Sequence, residues 1–199
     1  AVRLEGQAGR APIAEAPAMR ATAADERAAA MAKLASADDL LAELVGRGEL
    51  LRTALNHRLQ IAAQRGDDEG FVAHAKAYFE QADKAQAVTR LRIEKATTVD
   101  YERQELATLQ TLRDEEIGVR TLVAEFHYTR RQHELALPHL NRVLELDPRR
   151  FIDYYNRGRV LLELGRADDA KGDFRRFLAD PSIPSTSDKA VFAMKVVDR

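Results

Sequence analysis

What most constrains this chain is a self-similarity at an offset of 34 residues: Ala124 pairs with Gly158, Ala136 with Ala170, Leu140 with Phe174 and Val143 with Phe177. Pro148 and Pro181 close the two units, one residue out of step. A period of about 34 residues, with small residues and then a large apolar one at fixed places, marks a helix–turn–helix repeat. One such unit cannot bury its own apolar face. The pattern therefore predicts an all-α stack of helical hairpins and points to an interaction surface, away from an enzyme.

The physics within the second unit, Phe151–Pro181, agrees. Two antiparallel helices approach closely only where side chains are small, which Gly158 and Ala170 supply. Tyr154, Leu161 and Phe174 fill the space around that crossing. Gly165 suits the left-handed backbone that stops a helix, and Pro181 cannot continue one. This unit resembles a tetratricopeptide repeat, with Tyr154 at the large aromatic position, Gly158 at the small one and Leu164-Gly165 at the first helix's end. The unit before it, Ile117–Pro148, resembles the family in its second half, LALPHLNRVLELDP. Its first half departs. Arg120 takes the aromatic position, His127 stands where Leu is usual, and Arg131 replaces the turn glycine. It reads as a degenerate repeat.

The resemblance implies a short right-handed tetratricopeptide-like solenoid of antiparallel hairpins, preceded by longer N-terminal helices. It further implies that the first helices of successive repeats line a concave face. On that alignment Tyr155, Asn156 and Arg159 look into a groove, Glu163 sits near its rim, and Glu125 and Tyr128 join from the preceding repeat. The implied function is a non-catalytic adaptor that binds a protein or peptide segment there, with no cofactor. Asn156 stands where some members hold a terminal carboxylate, but Leu122 occupies the matching place in the preceding unit.

Composition narrows the chemistry. Aromatics are only 6% and Trp is absent, so Ala and Leu carry much of the apolar content, as helices packed through small residues require. Charged residues reach 32% with both signs mixed, which reads as solvated helix faces. The net charge of −1 supplies no field for nucleic acid or an anionic membrane. With no cysteine, disulfides, thiolate chemistry and Cys-based zinc sites are excluded. No apolar run reaches the roughly 18–20 residues that span a bilayer. The five histidines accompany no HExxH, and His127, His133 and His139, spaced by six, read as surface or packing residues. No GxSxG or Gly-rich phosphate loop occurs; acidic pairs such as Glu115-Glu116 and Asp168-Asp169 read as helix starts.

Residues 1–22 mix Ala, Pro, Gly and Arg without a period and read as a flexible lead. Residues 23–112 form an N-terminal helical region, with Ser36 as a helix cap before Asp38-Asp39 and an apolar stripe through Leu40, Leu41, Leu44 and Val45. Gly46 and Gly48 mark a bend, and Gly66–Gly70 a turn. Thr97-Thr98-Val99-Asp100 is expected to interrupt what would otherwise be one long helix over 71–112. Residues 113–199 hold the repeats and a terminal capping helix over 188–199. Two alternatives stand beside the adaptor. One is assembly with a second copy, or with a subunit of a membrane complex, through 37–112; the other is a docking domain of a longer enzyme. The start at Ala1 reads as a trimmed or processed product, so the compartment stays open between cytoplasmic and exported. The Ala/Arg-rich composition suggests a GC-rich bacterial source.

Overall fold

The computed structural model describes residues 15–46 and 51–198 of the chain, and the regular structure among them is helical throughout. The helices are α1 (Glu15–Gly46), α2 (Leu51–Arg65), α3 (Asp68–Glu94), α4 (Val99–Thr129), α5 (His133–Leu146), α6 (Phe151–Glu163), α7 (Ala167–Leu178) and α8 (Asp188–Val197). The all-α expectation holds. Two compact units divide at Phe71/Val72, inside α3.

In the first unit α1 packs on α2, and Asp38 of α1 holds Arg58 at 2.7 Å and Arg65 at 3.7 Å. Three expectations change here. The lead expected over 1–22 lies outside the described residues as far as residue 14, but from Glu15 the backbone is already helical. Alanine is the strongest helix former, and Pro17 falls in the first turn, where its missing N–H has no partner to lose. Ser36 starts no helix: it lies inside α1, and its Oγ donates to the carbonyl of Ala32 at 3.2 Å. A serine with helical residues upstream turns its hydroxyl back on the preceding turn instead of capping. Leu40 falls off the half-buried stripe of Leu41, Leu44 and Val45 and is largely exposed. Gly46 ends α1, while Gly48 lies outside the described residues.

The second unit is a series of hairpins. The expected interruption before Val99 is present: Thr98 caps α4, its side chain accepting from the N–H of Tyr101 at 3.3 Å. From there α4 runs 31 residues without a break, so the boundary drawn at 112/113 falls inside a helix. Leu109, Leu112, Glu116 and Ile117 are buried in unbroken helical spacing across it. Only the last part of α4 is matched by α5, as the pairings Glu116–Arg142 and His127–Gln132 set the antiparallel register.

Three helices stop in the same way. Gly66, Arg131 and Gly165 have φ of 69°, 57° and 73°. In each case the next N–H reaches back to a carbonyl five residues earlier: Asp67 to Ala62, Gln132 to His127, Arg166 to Leu161, all at 2.9 Å. This is the left-handed C-cap that satisfies the last carbonyls of a helix. Arg131 adopts it without glycine's freedom.

In the α6–α7 hairpin the residues that carry the repeat pattern meet. Ala170 and Phe174 are fully buried, Tyr154 and Leu161 nearly so. A Cβ on Gly158 would stand 3.0 Å from the Phe174 ring, so the small residue sets how closely the helices cross. The degenerate unit solves the same problem differently. Arg120, at the aromatic position, lays its guanidinium 4.3 Å from the centre of the Phe79 ring and donates to Glu116 at 2.6 Å. A long cation thereby takes the aromatic's place, provided a buried acid faces it. Finally α8, capped by Ser187, packs on α7 and buries Ala190 and Ala193.

Candidate functional site

A cleft of about 450 Å³ opens between α4 and α6, with α8 along one side. Ala124, Leu140 and Val160 are buried in one cluster and form its apolar floor. Five of the six residues expected at a groove line it: Glu125, Tyr128, Tyr155, Asn156 and Arg159. Glu163 does not; it is exposed one turn beyond Arg159.

Their roles differ from the expected ones. Tyr155 was placed on the open face, yet it is only 7% exposed. Its ring lies 5.7 Å from Phe174, 5.1 Å from Phe177 and 6.1 Å from Phe192 of α8. It is a core aromatic whose edge reaches the cleft, because the terminal helix covers the face that a repeat alignment leaves open. Asn156 donates from Nδ2 to Asp153 at 3.1 Å, and Asp153 is fully buried and held by Arg150 at 2.7 Å. Arg159 donates to the Tyr128 hydroxyl and stands 5.1 Å from that ring's centre and 6.0 Å from the centre of Phe192. Lys189, which sequence reasoning missed, lines the cleft with its Nζ 5.6 Å from the centre of the Tyr155 ring. Nothing in a 34-residue alignment reaches Lys189, since α8 lies beyond the last repeat; its place in the first turn of a capping helix was the one available signal.

A larger hollow, about 670 Å³, lies over α5 and α7. Its polar groups are tied to one another. Arg157 makes two 2.7 Å bonds to the Asp173 carboxylate and a third to Asn141, and Arg176 reaches the Tyr154 hydroxyl at 3.2 Å. Its bonds to Asp173 hold the Arg157 guanidinium above its ordinary range. This is a pinned helix seam.

Where α3, α4 and α5 meet, Glu116 is completely buried and accepts from Gln86, Arg120 and Arg142. Burial pushes its carboxyl up, but hydrogen bonds from Arg120 and Gln86 and the two arginine charges outweigh this and hold it below the usual range. Nearby, His127 and His139 stack with centroids 6.0 Å apart, and His139 also meets Phe79. Burial, with Arg120 and His127 beside it, lowers His139 to about 4. His139 is therefore a neutral packing residue at neutral pH. Among the described residues no group of three His, Asp or Glu is arranged to hold a metal ion, and no helix is long and apolar enough to cross a membrane.

Compared with known proteins, the chain matches no family model, and neither a curated protein nor a solved structure is significantly similar to it. The tetratricopeptide likeness therefore rests on the chain's own residues.

Proposed function

We propose that this chain is a non-catalytic, tetratricopeptide-like adaptor that holds a segment of another protein in the α4–α6–α8 cleft. One observation carries the reading: five residues picked out by the repeat alignment, from two helices about 30 residues apart in sequence, converge on a single cleft with an apolar floor. Such a site gives affinity through Tyr128 and the floor, and orientation through Arg159 and Glu125. A photoreactive side chain placed at 125 tests it. The partner should be trapped from position 125 and not from position 175, exposed on α7. Equal trapping from both positions, or none from 125, would sink the assignment.

A second reading is assembly through the α3–α4 arm. It draws on five exposed large apolar residues, Val88, Leu91, Val99, Tyr101 and Leu106, gathered within 19 positions. Mass measured by light scattering across a concentration series separates the two readings.

A further inference from the structure

Several arginines of the second unit find carboxylates: Arg120 and Arg142 on Glu116, Arg150 on Asp153, Arg157 on Asp173, Arg166 on Asp169, while Arg176 rests on the hydroxyl and ring of Tyr154. Arg159 and Lys189 have no carboxylate partner among the described residues, and Glu125 has no cation, although all three line one cleft. Instead the two cations rest on aromatic rings, Arg159 on Tyr128 and Phe192, Lys189 on Tyr155. A ring supports a cation but does not neutralise it. Each therefore keeps its charge for an anion, Arg159 spending one N–H on the Tyr128 hydroxyl, and is already held in position, so little ordering remains to oppose binding.

The two cations belong to different helices and sit on different rings. They offer two points of contact in one cleft. The apolar floor of Ala124, Leu140 and Val160 belongs to the same cleft. Glu125, on α4, repels a ligand that is acidic along its whole width. Taking the cleft as the partner-binding surface, we infer that its occupant is an internal acidic–apolar stretch of a partner protein. Two carboxylate side chains meet Arg159 and Lys189, and an apolar side chain between them covers the floor. Charge complementarity selects this class. Long-range steering contributes little, since the whole chain carries a net charge of only −1.

The probe is a fluorescein-labelled peptide of four Leu-Glu pairs with both termini blocked, compared with its Leu-Gln counterpart by anisotropy at low salt. Blocking removes the terminal carboxylate, so binding reports side chains alone. The Glu peptide is expected to bind at least about tenfold more tightly than the Gln peptide, a gap of about 1.4 kcal/mol. In the double variant Arg159→Gln/Lys189→Gln that difference should vanish; both positions are exposed, and the fold loses there only the ring stacking and the bond from Arg159 to the Tyr128 hydroxyl. Glu125→Trp, which fills the mouth of the cleft, should abolish binding of both peptides. Equal affinity for the two peptides, lost in Glu125→Trp, would overturn the acidic class while leaving the cleft as the docking surface. Binding of the Glu peptide that survives Glu125→Trp would overturn the cleft as well. Absence of binding by either peptide at millimolar concentration overturns the proposal outright.

Discussion

Gly158 and Arg131 show how far single residues are dictated by their place in a repeat. At Gly158 a methyl group would meet the Cε1 and Cζ atoms of Phe174 at 3.0 Å. That ring is fully buried, with Tyr155 and Phe192 edge-on to it, so it has little room to withdraw. Alanine's better helix propensity offsets about 1 kcal/mol, while overpacking costs typically 1–3. Gly158→Ala should therefore destabilise by about 1 kcal/mol net in urea denaturation; an unchanged midpoint would mean the helices are not held at that crossing. Arg131 runs the other way. It holds φ at 57° in the same cap that Gly66 and Gly165 fill without strain, and a left-handed side-chain residue costs roughly 1–2 kcal/mol. Arg131→Gly, after glycine's greater unfolded-state entropy is subtracted, is expected to stabilise by about 0.5–1 kcal/mol and raise Tm by a few degrees. A lower Tm would show that Arg131 makes a contact worth more than its strain. Both positions were legible from sequence, since backbone geometry repeats with the period. Tyr155 was not: its neighbours Phe177 and Phe192 are brought by helices whose packing no register of 34 encodes.

Between elements, the α4–α5 seam is the place where stability should depend on pH. His139 titrates near 4 in the fold against an ordinary 6.5, because burial, Arg120 and His127 all disfavour its charged form. A histidine with a lowered folded pKa contributes fully above about 6.5, and that contribution is lost progressively as pH falls toward 4. The half-buried ring tempers the size to about 1–2 kcal/mol between pH 7.5 and pH 5. Glu116, held below its ordinary 4.5, contributes above that value and loses it at still lower pH as it protonates in the fold. His139→Phe should flatten the part of the urea-midpoint curve between pH 6.5 and 4 while leaving the steeper acid limb. A curve unchanged in that window would mean His139 is not the titrating group. None of this was visible as chemistry in the sequence. The six-residue spacing put the histidines on different faces, correctly for any one helix; but His127 lies at the end of α4 and His139 on α5, and the hairpin folds them together. The long α4 was likewise partly legible. Thr98 marked its start, whereas the Glu115-Glu116 pair, read as a helix start, lies inside α4, where no break exists and Glu116 is buried as the acceptor for two arginines.

At the scale of the molecule the question is whether the exposed apolar residues of the α3–α4 arm join two copies. The arm exists because α4 continues about 20 Å beyond the part that α5 covers, at 1.5 Å per residue. Its apolar side chains are 40–69% exposed, but they do not form one stripe. On α3, Val88 and Leu91 stand opposite the buried row Ala82, Gln86 and Thr89, with exposed Lys84 and Lys95 a turn away on either side. On α4, Val99 and Leu106 lie on one side of the buried row Glu105, Leu109 and Leu112, and exposed Arg103 lies between them in sequence. A stable dimer buries on the order of 800 Å² on each partner, with an apolar centre. Pairs of residues on separate faces, each interrupted by charge, do not supply that. The chain is therefore expected to scatter as a monomer of 22.3 kDa from low to high micromolar concentration. In that case the cleft, with its unpaired charges, is left as the working surface. A mass that doubles with concentration, and returns to the monomer value in Leu91→Glu/Leu106→Glu, would instead make the arm an assembly face and the repeats its scaffold.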